Sequence, residues 1–198
     1  MKFIKILLSL MVLLLASCQV LRHAPMGAQT HDRRVDELTR ALMAMPGVDA
    51  RAATEADRLA RVAVGEGEAF AQRFGVVRPA WLNNCLVNIK LHERGLCWQY
   101  MYHLYWALER EQPEHFTLRC AVRDQGRLFH EHHAVAVSAK GAAFGDSLIL
   151  DPWQDCGRLI WFVPSGERGE WKNNPVEVRR APLANELGGW ACWRDDDQ

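Results

Sequence analysis

The sequence lacks an excess of charge of either sign, since its 24 Lys and Arg residues balance its 24 Asp and Glu residues. A neutral chain has no general attraction for a phosphate backbone. The sequence also contains no basic patch, no Gly-rich phosphate loop and no internal repeat. We therefore expect no nucleic-acid partner.

Long apolar runs are scarce as well. The main one follows Lys2 and Lys5 and extends from Ile6 to Leu15. It is shorter than the roughly 20 residues that a membrane-spanning helix needs. A basic start followed by a short apolar run is typical of a signal peptide.

The apolar run ends in Leu15-Ala16-Ser17-Cys18. These four residues resemble the lipobox of bacterial lipoproteins, which implies lipidation of Cys18 and anchoring in a membrane. Gln19 in place of Asp then implies the periplasmic face of the outer membrane. The alternative is an ordinary secretory signal with an incidental cysteine. We expect three segments: a lipoprotein signal peptide at 1–17, a lipid-anchored tether at 18–30, and a single domain at 31–198.

Apolar residues at three- and four-residue steps predict several helices in the first part of the domain. These helices are predicted near 35–45, 54–75 and 79–91 and from Cys97 towards Pro113. Thr54-x-x-Asp57 resembles a capping box at the start of the second helix. Gly65 and Gly67 are weak points inside it.

Beyond Pro113 the apolar period changes to two, which predicts strands. They are predicted at 116–122, 128–137, 147–150 and 159–163. Helices followed by an antiparallel sheet define an α+β fold class. We expect the later tryptophans to pack on this sheet, and they are Trp171, Trp190 and Trp193.

The most informative segment is Gly95-Leu96-Cys97-Trp98, where a glycine turn leads into a helix. A cysteine in the first helical turn is stabilised as thiolate by the partial positive charge of the helix N-terminus. A nucleophilic thiol also needs a histidine base and a group that orients it. His132 or His133 at the start of a strand can supply the base, and both remain candidates because adjacent strand residues face opposite ways.

Asp151 at the end of the next strand is the predicted partner of the histidine. Its alternative role is that of a turn residue before Pro152. Asp146 and Asp155 are the fallback carboxylates. For the oxyanion hole we expect the Cys97 backbone N–H. A side-chain amide is a weaker candidate for a second donor, from Asn83, Asn84 or Asn88.

Gly-x-Cys-Trp at a helix start, a histidine on a strand and Leu-Asp-Pro at 150–152 resemble the transglutaminase-like branch of the papain-like cysteine enzymes. His133-Ala134-Val135 is similar to the His-Ala-Val of papain-type peptidases. The segment Arg-Gly-Leu-Cys-Trp at 94–98 also resembles a group of small proteobacterial lipoproteins. The resemblance spans residues 80–163 and does not identify a substrate class.

The resemblance implies a papain-like or transglutaminase-like core that acts as an amide-bond hydrolase or acyltransferase without a cofactor. The compartment then suggests a peptide, peptidoglycan or protein substrate. Two other classes remain open. One is a non-catalytic envelope lipoprotein that binds cell-wall or protein partners, and the other is a zinc hydrolase built on His130-x-His132.

Besides Cys18, the chain holds five cysteines, an odd number that leaves at least one thiol outside any internal disulfide. If Cys97 is that thiol, the other four can form two disulfides in three possible pairings. These four are Cys85, Cys120, Cys156 and Cys192.

Overall fold

The structure, a computed structural model, describes residues 26–127, 130–166 and 169–175. Within these ranges the helices are α1 (Ala28–Met43), α2 (Ala53–Arg73), α3 (Ala80–Asn88) and α4 (Cys97–Glu109). The strands are β1 (Phe116–Arg123), β2 (His132–Ala139), β3 (Leu148–Asp151), β4 (Ile160–Phe162) and β5 (Lys172–Asn173). They form one antiparallel sheet in the order β4-β3-β2-β1-β5. The predicted α+β class is confirmed.

The main core lies between three helices and one face of the sheet. From α4, Met101, Leu104 and Leu108 are fully or almost fully buried there, because they recur on one side of the helix. The sheet supplies Val135 and Val137 from β2 to the same core. This packing fixes α4 across the sheet and so determines where its first residue, Cys97, lies.

The opposite face of the sheet carries a smaller apolar cluster. Ala134 and Ala136 of β2 lie there, since they alternate with the residues that face the helices. Trp171 covers them and is 4% exposed. Its predicted packing on the sheet is confirmed, whereas Trp190 and Trp193 lie outside the described residues.

Some predicted boundaries differ from the structure. The helix predicted near 35–45 already begins at Ala28, so the last residues of the predicted tether, 28–30, are helical. The strand predicted at 128–137 begins at His132, and residues 128–129 lie outside the described part. Cys18 and the predicted signal peptide also lie outside it. No helix of the described part is both long and apolar enough to cross a membrane.

The predicted capping box at Thr54 and Asp57 is wrong. The chain already turns upstream, in a 3-10 helix at Ala50–Ala52 that continues directly into α2. The cap at that point is Asp49, whose side chain accepts a hydrogen bond from a backbone N–H of the 3-10 helix. Asp57 is instead paired with Arg61 one turn later, at 2.9 Å.

No disulfide joins any of the described cysteines, which are Cys85, Cys97, Cys120 and Cys156. Cys120 and Cys156 are 0% and 2% exposed, whereas Cys85 is exposed on α3. Two disulfides among Cys85, Cys120, Cys156 and Cys192 would need at least one bond within the described set. The two-disulfide arrangement is therefore absent from this fold, because no disulfide joins any two of the three described cysteines in this set.

Gly67 is one of the two glycines that the sequence marked as weak points of α2. A Cβ atom at this position would lie 2.5 Å from the carbonyl oxygen of Gly157 and 2.8 Å from Cβ of Pro152. The loop that follows Asp151 therefore packs directly on the backbone of α2. Gly65 has no such neighbour, since its nearest contact would be the His31 ring at 3.8 Å.

We expect Gly67→Ala to lower the free energy of unfolding by about 1–3 kcal/mol, because backbone atoms must move to admit the methyl group. The matched control Gly65→Ala is expected to raise it by about 0.5–1 kcal/mol, since alanine favours the helix and finds ordinary contacts. Urea unfolding of both variants measures the difference. Equal effects of the two substitutions would contradict the close packing of the loop on α2.

Candidate active site

The thiol is positioned by the turn that precedes α4. Gly95 adopts φ +130°, a conformation open mainly to glycine, and α4 begins two residues later at Cys97. A Cβ atom at Gly95 would also lie only 1.9 Å from the amide nitrogen of Asn83. Both the backbone conformation and the close approach of Asn83 therefore require glycine at this position.

Asn83 is buried and braces this turn. Its Oδ1 atom accepts a hydrogen bond from the Val77 N–H at 3.2 Å and lies 2.9 Å from Nδ1 of His92. Its Nδ2 group donates to the Arg94 carbonyl at 3.3 Å. Both ends of the amide are thus engaged in local structure, which assigns Asn83 a role in holding the turn rather than in the predicted oxyanion hole.

Gln99 caps the start of α4, and sequence analysis did not identify this role. Its Oε1 atom accepts hydrogen bonds from the backbone N–H groups of Gly95 and Leu96, at 2.8 and 3.0 Å. The detectable signal is a Gln at the third helical position, as in a capping box. Helix geometry provides no internal acceptor for the Cys97 N–H. That group remains the predicted oxyanion donor.

His132 and Asp151 form the centre of the site. Nε2 of His132 lies 2.7 Å from Oδ2 of Asp151, and the two residues are 4% and 0% exposed. The strand register explains the contact, because Ala136 of β2 pairs with Ile149 of β3. His132 precedes Ala136 by an even number of residues, and Asp151 follows Ile149 by an even number. Both side chains therefore lie on the same face of the sheet as this pair.

The other carboxylate oxygen of Asp151 holds the turn that leaves β3. Oδ1 accepts hydrogen bonds from the backbone N–H groups of Trp153, at 3.0 Å, and Gln154, at 3.3 Å. The sequence offered a turn role and a histidine-orienting role as alternatives, and the geometry combines them. Backbone donors fix the carboxylate, and the carboxylate in turn fixes the imidazole.

The Cys97 thiol interacts with the ring of His132. Burial by itself raises the pKa of Cys97, but the nearby polar ring and positive charge of His132, together with His133, outweigh burial and hold the pKa below the ordinary thiol value. Burial likewise lowers the pKa of His132, yet Asp151 and Cys97 outweigh it and raise that pKa. These opposite shifts favour a thiolate–imidazolium pair.

The geometry of this pair is loose. The ring nitrogen that Asp151 does not use, Nδ1 of His132, is buried and has no partner in ordinary hydrogen-bond geometry among the described residues. The Cys97 sulfur lies 4.0 Å from the Glu131 carbonyl oxygen, at the start of β2. Contacts of this kind commonly tighten only when substrate binds.

His133 faces a different partner. Its Nε2 atom lies 2.8 Å from Oε1 of Glu131, and this hydrogen bond lowers the pKa of the Glu131 carboxyl. His133 adds positive charge and a backbone polar group to the surroundings of Cys97, and both lower the pKa of the thiol. The structure thus brings Cys97, His132 and Asp151 together and places the second candidate histidine beside them.

Two tryptophans line the His132 ring. Trp153 lies 4.6 Å from it and Trp171 lies 5.3 Å from it, measured between ring centroids. The indole N–H of Trp153 donates to Oδ1 of Asn84 at 3.1 Å. Asn84 was predicted as an oxyanion donor. Its side-chain carbonyl oxygen instead binds Trp153, which packs against His132, so its contact with the site is indirect.

The remaining candidates lie elsewhere. Asp146 and Asn88 are exposed, and Asp155 pairs with Arg78 at 3.1 Å. His130 is exposed, so it does not join His132 in the enclosed site. In the ranges that the structure describes, no group of His, Cys, Asp or Glu side chains is arranged to hold a metal ion.

Comparisons of the chain with protein-family models, with curated proteins and with solved structures gave no match. The chemistry of the site therefore rests on its own geometry.

We expect Cys97 to react with iodoacetamide with a pH midpoint below the ordinary thiol value of about 8.5. His132→Ala is expected to move the midpoint above that value, because burial remains while the stabilising charge of the imidazolium is lost. The control His133→Ala is expected to cause a smaller rise. Mass spectrometry of the alkylated peptides gives each midpoint, with exposed Cys85 as the internal reference.

A midpoint unaffected by His132→Ala, or a larger effect of His133→Ala, would contradict the assignment of His132 as the group that activates the thiol.

Proposed function

We propose that this protein is a cysteine hydrolase or acyltransferase that acts on amide bonds. The observation that carries the proposal is the buried arrangement of Cys97, His132 and Asp151, in which the carboxylate holds the imidazole at 2.7 Å and the imidazole lowers the pKa of the thiol. A nucleophile, a base and a group that orients the base are the three parts that thiol catalysis needs.

The reaction begins with attack of the Cys97 thiolate on the carbonyl carbon of the substrate. The new S–C bond forms, the carbonyl oxygen takes the negative charge, and the Cys97 N–H at the start of α4 stabilises it. The C–N bond then breaks, and the imidazolium of His132 gives its proton to the leaving amine. A thioester between Cys97 and the acyl group remains.

The second half returns the enzyme to its starting state. Neutral His132 takes a proton from water or from an incoming amine, which attacks the thioester carbon and releases the Cys97 thiolate. Water gives hydrolysis and an amine gives acyl transfer. Asp151 keeps Nε2 of the ring occupied throughout, so that Nδ1 is the nitrogen that exchanges protons with the reacting groups.

We further propose that the core belongs to the transglutaminase-like and papain-like type. The order of helix-borne Cys97, strand-borne His132 and strand-ending Asp151 supports this proposal. The lipobox-like segment ending at Cys18 supports attachment to the periplasmic face of the outer membrane. Peptides, peptidoglycan stems and isopeptide links are the amide substrates available there.

We expect an activated ester, p-nitrophenyl acetate, to transfer one acetyl group to Cys97. His132→Ala is expected to slow this acylation roughly 100-fold or more, which is the usual loss when a general base is removed. Asp151→Asn should slow it by a comparable factor, because an amide at this position can donate to Nε2 and hold the imidazole in the wrong tautomer. Release of nitrophenolate gives the rate, and mass spectrometry of the trapped protein locates the acetyl group.

Two controls sharpen this experiment. Cys97→Ala should abolish the acetyl adduct at this site, and decay of the adduct with and without added amine separates transfer from hydrolysis. An acetyl group on exposed Cys85 alone, with Cys97 unmodified, would sink the proposal. A non-catalytic envelope lipoprotein would then be the better account.

A further inference from the structure

Asn84 lies on α3, outside the three groups that carry the proposed chemistry. Its side chain is half-buried, and its Oδ1 atom accepts a hydrogen bond of 3.1 Å from the indole N–H of Trp153. Trp153 follows Asp151 by two residues, and its ring lies 4.6 Å from the ring of His132. The hydrogen bond therefore connects α3 to an aromatic ring that packs against the imidazole.

The loop that carries Trp153 is held to the segment before α3 by other contacts. Arg78 pairs with Asp155 at 3.1 Å, and the Cys156 thiol contacts the Val77 carbonyl oxygen at 3.6 Å. These contacts fix the loop beyond Trp153, and the indole ring itself packs against the buried cluster that contains Tyr100 and Cys156. Oδ1 of Asn84 is the hydrogen-bond acceptor that the structure gives to the ring.

The orientation of this ring affects His132 in two ways. An indole ring 4.6 Å from the imidazole, tilted by 50° to it, excludes water from the His132–Asp151 hydrogen bond, which strengthens that bond in a less polar environment. The π electrons of the indole also attract a cation, which favours the protonated imidazole that the thiolate needs. Trp171 lies 5.3 Å from the same imidazole, and no acceptor for its indole N–H is found among the described residues.

We propose that Asn84 is a positioning residue, which holds Trp153 against His132 and thereby maintains the thiolate–imidazolium pair with Cys97. The proposal rests on the proposed thiol function but concerns a separate group, since Asn84 touches no reacting atom. It predicts an effect on the ionisation of Cys97 that depends on an acceptor at position 84 and on the indole N–H of residue 153.

The test compares full-length variants by the pH profile of Cys97 alkylation with iodoacetamide. Asn84→Leu keeps the size of the side chain but removes the acceptor, and we expect it to raise the midpoint and to slow alkylation at pH 6 roughly five-fold, about the value of one hydrogen bond. Asn84→Asp keeps an acceptor oxygen and is expected to retain most of the reactivity. The matched control is Asn88→Leu, the same change one turn later on an exposed side chain.

A second measurement follows the hydrogen bond itself. The indole resonance of Trp153, assigned by its loss in Trp153→Phe, should move upfield in Asn84→Leu and stay in place in Asn88→Leu. In the Trp153→Phe background, Asn84→Leu should have no further effect on alkylation, because the two groups act as one pair. Thermal unfolding checks that every variant folds, and Asn84→Ala, which also lacks the acceptor, replaces Asn84→Leu if that variant does not.

The outcomes separate the two proposals. An unactivated Cys97 in the unsubstituted protein would overturn the proposed function whatever the variants do. An activated Cys97 whose profile is the same in Asn84→Leu and Asn88→Leu would overturn the positioning role and leave the proposed function standing. Additive effects of Asn84→Leu and Trp153→Phe would also overturn it, since they would show that Asn84 acts by another route.

Discussion

The hydrogen bond between His132 and Asp151 is the contact on which the rest of the site depends. Both side chains are almost completely enclosed, and an imidazolium without the carboxylate would be a costly unpaired charge in that environment. The carboxylate is itself held by two backbone N–H groups of the turn after β3. The carboxylate that faces His132 is therefore held by the backbone of this turn rather than by flexible surface groups.

The start of α4 provides the other part of the site, the thiol and the backbone N–H of Cys97. Gln99 satisfies two backbone donors of the preceding turn, and Asn83 braces that turn from α3. These contacts leave the Cys97 N–H and sulfur together at the helix end, where the helix dipole adds to the effect of His132. The thiol lies on α4, whereas the imidazole and the carboxylate lie on β2 and β3, which are distant from α4 in sequence. The packing of α4 on the sheet in the main core sets the distance between them.

Glycine serves the site at two places for different reasons. Gly95 provides a backbone conformation and space for Asn83, whereas Gly67 lets the loop after Asp151 lie directly on α2. The second role explains why α2 contains a residue that weakens isolated helices. The cost in helix stability is offset by the packing of the loop that holds Asp151 and Trp153.

The sequence by itself determined the α+β class, the start of α4 at Cys97 and the candidates Asp151 and His132, because these follow from local periodicity and turn chemistry. It could not choose between His132 and His133, since alternation in a strand separates two faces without saying which one meets the thiol. It also placed the cap of α2 incorrectly at Thr54 and left Gln99 and the Asn84–Trp153 pair unassigned. Only the tertiary structure decided these points, because strand register and helix packing join residues that no local pattern connects.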